Sequence, residues 1–79
     1  MVTVYRAHGF NIVIFLNDHE PAHVHVFGDG EAKINLLGAG GAPELVWVEG
    51  MKRGDVRRVM KIVVEQQGHL LARWRDIHG

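Results

Sequence analysis

The residues able to do chemistry crowd into one stretch, Asp18-His19-Glu20-Pro21-Ala22-His23-Val24-His25. His23 and His25 stand two residues apart, so on a β-strand both rings leave the same face, about 6–7 Å from one another. Two neutral imidazoles at that spacing reach a single metal ion. The loop before them offers a third ligand: His19, or a carboxylate from Asp18 or Glu20. Three protein ligands with an open position suit a catalytic zinc or manganese ion. His23, His25 and His19 are therefore the candidate metal ligands. The same H-x-H spacing also fits a solvated or hydrogen-bonded pair at a strand edge, and no distant fourth ligand is evident. Glu20, beside Pro21 and His23, offers an acid–base pair. Covalent catalysis has little to work with, since serine and cysteine are absent and Thr3 is the only threonine.

A second candidate surface is basic. Arg57, Lys61 and Arg75 share an angular position on a helix, with Arg53 nearby, and such a row can contact nucleic-acid phosphates without regard to sequence. Exposed helix faces are ordinarily charged, however, and Lys61 with Glu65 makes an i,i+4 pair. No aromatic residue interleaves with these bases, which argues against single-strand stacking there. Net charge is zero but unevenly placed. Residues 1–50 hold two bases and six acids, a net of −4, and residues 51–79 hold seven bases and three acids, a net of +4. The two halves can neutralise one another across a fold, whereas a dedicated nucleic-acid domain is usually basic overall.

The elements that must position these groups read as strands first and a helix last. Val2 to Arg6 is short and β-branched, Ala7-His8-Gly9 is turn-like, and Phe10 to Leu16 is an apolar run. A two-residue loop at His8-Gly9 pairs Tyr5 with Ile12 and Thr3 with Ile14. One face then carries Tyr5, Phe10, Ile12, Ile14 and Leu16; the other carries Val2, Val4, Val13 and Phe15. His23 to Phe27 alternates, Gly28-Asp29-Gly30 turns, and Glu31 to Leu36 alternates again. A three-residue loop with Gly30 left-handed groups Val24 and Val26 with Ala32, Ile34 and Leu36, and sets His23 and His25 beside Lys33 and Asn35. Gly38 to Pro43 is a glycine-rich linker lacking the Lys-Ser/Thr of a nucleotide loop. Glu44 to Glu49 is a last strand containing Trp47, closed by Gly50.

Residues 53–77 read as one amphipathic helix whose stripe is Val56, Val59, Met60, Val63, Leu70, Leu71, Trp74 and Ile77. Gln67 falls within that stripe and needs a hydrogen-bond partner if buried. The expectation is one α+β domain over residues 1–79: an antiparallel sheet of four to five short strands, two hairpins plus one strand within 2–49, with one long C-terminal helix packed on one face. One helix covers only one face. The valines and Phe15 on the other call for a second layer, either another copy in a homodimer or a small companion protein. A hydrophobic content of 47% against 23% charged residues excludes a disordered chain. The longest apolar run, Ile12 to Leu16, is too short to span a membrane. No basic-then-apolar leader opens the chain and cysteine is absent, which together fit the cytoplasm.

The run Glu20-Pro21-Ala22-His23-Val24-His25-Val26, followed by Gly28-Asp29-Gly30-Glu31-Ala32-Lys33, resembles a family of small bacterial domains of unknown function. That family carries an E-P-P-H-x-H-V signature, with Val, Ile or Phe at x, before a short hairpin. Its C-terminal helix ends in L-L-x-x-W, matched here by Leu70-Leu71-Ala72-Arg73-Trp74. The opening Val2-Thr3-Val4, the His8-Gly9 turn and Gly50-Met51 before the helix also fit, so the resemblance covers nearly the whole chain. Ala22, where the second proline is usual, and the linker from Gly38 to Gly41 depart from the pattern; neither touches the histidines. The resemblance implies a functional surface at Glu20, Pro21, His23 and His25. It also implies a product of a two-gene unit with a short companion, some members being suspected toxin–antitoxin components. Three readings follow: an interaction module working through protein association, a metal-dependent nuclease or phosphoesterase, and a DNA-binding regulator.

Overall fold

The computed structural model describes residues 1–79 as a five-stranded antiparallel meander backed by two helices. The strands are β1 (Val2–Ala7), β2 (Phe10–Ile14), β3 (His23–Phe27), β4 (Glu31–Asn35) and β5 (Glu44–Glu49). They lie in the sheet in chain order. The helices are α1 (Arg53–Glu65) and α2 (Gln67–His78). No helix is long and apolar enough to cross a membrane.

The β1–β2 hairpin turns at His8 and Gly9, with φ of 52° and 82°. Positive φ at both loop residues is the twist a two-residue hairpin needs. Tyr5 faces Ile12 as the loop length requires, but the register then slips. Val2 pairs with Ile14 and Thr3 with Val13, so the expected Thr3–Ile14 pairing does not form. The cause is a bulge between Thr3 and Tyr5, whose extra residue is Val4. Its consequence reaches the whole sheet: Val4 joins the core, with Val2 and Tyr5 packed against it. Two of the valines expected on the uncovered face are thus on the covered one. Val13, still on the second face, is fully buried, and the rings of Phe15, His25 and Phe27 stand on that same face. Leu16, expected in the core, lies beyond the end of β2 and is 65% exposed.

The β3–β4 register is the expected one: Val24 faces Ile34, Val26 faces Ala32, His25 faces Lys33 and His23 faces Asn35. Gly30 is not left-handed, however. Glycine is needed there because a Cβ would collide with the carbonyl oxygen of Glu49 and the carbonyl carbon of Gly50, where the ends of two hairpins meet. The linker is less free than its composition suggests. The Gly38 amide donates to Ala42 O, and Gly41 donates to Gly38 O.

The single long helix is replaced by two, of 13 and 12 residues, broken at Gln66 (φ −103°, ψ 12°). Both must reach one twisted sheet, which falls away from a straight rod. Val59, Ile62 and Val63 of α1 and Leu70 and Trp74 of α2 are all buried on the same cluster as Ile12, Ile14, Val24, Val26, Ile34 and Leu36. At the break, Gln67 leaves the helix surface and donates from Nε2 to Leu36 O (2.7 Å) and Gly41 O (2.9 Å). The polar residue inside the apolar stripe therefore ties the linker to the helices.

Candidate metal centre

On the sheet face opposite the helices lies a cleft of about 510 Å³. The loop from Asn17 to Pro21, His23 and His25 of β3, Lys33 and Asn35 of β4, and Val46 and Trp47 of β5 line it. Alternation along β3 sends Val24 and Val26 into the core and the two histidines to this side. The β4–β5 register shifts between Lys33 and Ile34: Lys33 faces Trp47 and Ile34 faces Leu45. Val46 is the extra residue, and the bulge lets it line the cleft together with its neighbour Trp47.

The loop is held from several sides. Leu36 donates its amide to Ala22 O, and Asp18 donates its amide to Phe15 O. The Phe15 amide in turn donates to Asp18 Oδ2 at 3.2 Å, which turns the carboxylate back toward the sheet. Glu20 and Pro21 are joined by a cis peptide. Asp18 Oδ2 then sits 3.1 Å from His23 Nε2.

The ring nitrogens follow from what they face. His23 Nδ1 is 2.9 Å from Pro21 O, and a carbonyl only accepts, so Nδ1 carries a proton. Nε2 faces a carboxylate oxygen, which also only accepts. One neutral ring has a single N–H for two acceptors, and the Nε2–Asp18 pair is where a metal ion would fit. Ligands about 2.1 Å from a zinc ion, at tetrahedral angles, lie about 3.4 Å apart, close to this separation. His25 Nδ1 is 3.1 Å from Glu31 Oε2, two positions along β4 from its direct partner Lys33. Nδ1–H donates to that carboxylate and leaves Nε2 with its lone pair, the arrangement that orients metal-bound histidines.

Asp18, His23 and His25 together place one ligand atom each within 4.8 Å of one another. His23 is buried at 5% exposure, while His25 and Asp18 are half-buried. His19 lines the same cleft but is exposed and lies outside this cluster. Glu20, also on the cleft lining, accepts from Trp74 Nε1 at 3.3 Å. The Trp74 ring lies 5.2 Å from that of His23 and 4.0 Å from that of His78. The α2 helix therefore braces the back of His23 through an aromatic side chain. His69 is remote from the cleft, facing Val4 O on β1 at 3.2 Å.

Of the basic row, Arg57 and Lys61 lie exposed on α1, while Arg75 lies beyond the break on α2. Two helices share the three charges, so they no longer follow from one helix's periodicity. Sequence alone gives no site reading for Glu31, which faces His25, or for Trp47 of the cleft wall. Glu31 was legible as a diagonal neighbour of His25 once the three-residue loop was chosen. Trp47 was not, because it depends on the β4–β5 register and its bulge.

Among known protein families, a model described as a domain of unknown function (DUF4160) matches residues 9–75. No curated protein and no solved structure matches the chain.

Proposed function

The chain belongs to the DUF4160 family, a domain of unknown function, and from that premise we propose that it is a divalent-metal-dependent hydrolase of phosphate esters. The carrying observation is the Asp18–His23–His25 cluster opening onto a cleft that also holds Lys33. Two imidazoles and one carboxylate leave a zinc or manganese ion with positions for water and substrate. A bound ion would lower the proton affinity of its water and polarise a phosphoryl oxygen. Water oxygen bonds to phosphorus, the ester P–O bond breaks, and the alcohol leaves with a proton. Lys33, which forms no ion pair, stands beside His25 to meet the negative charge. The absence of cysteine suits action in a reducing cytoplasm.

The test is a titration of metal-stripped chain with zinc and with manganese, read at the histidine ring protons by NMR. Bis(p-nitrophenyl) phosphate turnover then reports on catalysis. Selective shifts at His23 and His25, and turnover lost in the His23→Ala, His25→Ala double variant, are expected. Flat titrations with both metals sink the reading.

A second reading, association with another protein as in a toxin–antitoxin pair, is favoured by β5. Its Leu45, Val46, Trp47 and Val48 are 36–45% exposed on a sheet edge with no further strand. Edges of this kind recruit partner strands. Sedimentation of the chain alone and with the product of its genomic neighbour tests it. A monomer in both cases removes this reading.

A further inference from the structure

The geometry points to a nucleotide as the substrate unit of this cleft, its phosphate between the metal centre and Lys33 and its base on Trp47. This rests on the metal-centre reading above and adds the identity of the ester. The observation is a row running straight across the sheet: His25 faces Lys33, and Lys33 faces Trp47. Directly opposed residues share a face, so a metal ligand, an unpaired cation and an indole stand in that order on three adjacent strands. The Trp47 ring leans back over the row to 5.9 Å from the His25 ring. It keeps 36% of its surface exposed. A buried indole would be ordinary core; this one stands on the edge strand at the cleft, beside a bulge that brings Val46 in next to it.

Each member of the row answers one part of a nucleotide. The metal ion and Lys33 take the phosphate oxygens, and the indole face takes the base, which any base can stack on. Asn35, one strand from His23 in the neighbouring row, adds an amide on the same cleft wall. A simple sugar phosphate would use the first two members and leave the indole exposed. The chemistry is shared by a free nucleotide and by one residue of a single strand.

The experiment is calorimetry on the metal-loaded chain with thymidine 5′-monophosphate, ribose 5-phosphate and a short oligothymidylate. The mononucleotide is expected to bind about tenfold or more tighter than the sugar phosphate. That advantage should vanish in Trp47→Ala and persist in Trp47→Phe, whose retained ring and fold also control for misfolding. Lys33→Gln should weaken both phosphates equally. Tighter binding of the oligomer than of the monomer identifies a single strand as the source, and equal binding a free nucleotide. Equal affinity for nucleotide and sugar phosphate on a chain that does bind metal overturns the base platform and leaves the metal centre standing. Failure to take up metal overturns both.

Discussion

His23 and His25 are each oriented by an acceptor that fixes which nitrogen is free. For His25 that acceptor is Glu31, at 3.1 Å and on the same hairpin. Replacing it by an amide keeps the shape but removes the charge that strengthens the ring as a ligand. Glu31→Gln is expected to fold normally and to lose about 10–100-fold in metal affinity, measured by competition with a chromophoric chelator. His19→Ala should leave that affinity unchanged, since His19 is exposed and outside the ligand cluster. A large loss there would place the third ligand on His19 and displace Asp18. Glu20 and Pro21 act as supports: Pro21 through its carbonyl to His23, Glu20 through its hydrogen bond from Trp74.

Elements hold the site through two joints. One is the helix break, where the Gln67 side chain satisfies Leu36 O and Gly41 O. Leu36 is buried, so Gln67→Ala leaves a carbonyl without a partner and should destabilise the fold by about 1–3 kcal/mol, read as a lower urea midpoint. The other is the meeting of Gly30 with the end of β5. An added methyl there pushes backbone against backbone and forces β5 away from β4. Gly30→Ala is expected to cost about 1–3 kcal/mol and to disturb Trp47, so that thermal unfolding and Trp47 indole NMR shifts move together. A stable variant with unmoved shifts would show that the hairpin ends have room.

The whole molecule is a two-layer sandwich of one sheet and two helices, and its second sheet face buries Val13 and carries the cleft. Four neighbouring exposed apolar residues, Leu45 to Val48, gather on the β5 edge. A closed twofold dimer through that edge would set Glu44 of one copy against Glu49 of the other, like charges that weaken pairing. Self-association by this route should therefore be weak and strengthen with salt, which sedimentation at two ionic strengths will read. Strong, salt-insensitive dimerisation would point to another surface.

Much of this architecture was legible along the chain. Alternation in His23–Phe27 and Glu31–Leu36, with three residues between, determined the register that brings the histidines beside Lys33 and Asn35. The apolar spacing after Arg53 marked the helical face, and its one polar member, Gln67, announced a hydrogen bond. These are local facts, set by strand and helix periods and loop length. Three things were decided only in the folded chain: the bulge at Val4 that returns β1 to the core, the helix break at Gln66, and the arrival of Asp18 and Trp47 on either side of the histidines. Each depends on a contact between segments distant in sequence or on a one-residue slip in pairing. No periodicity encodes these, because a bulge or kink is chosen by what the neighbouring layer will accept.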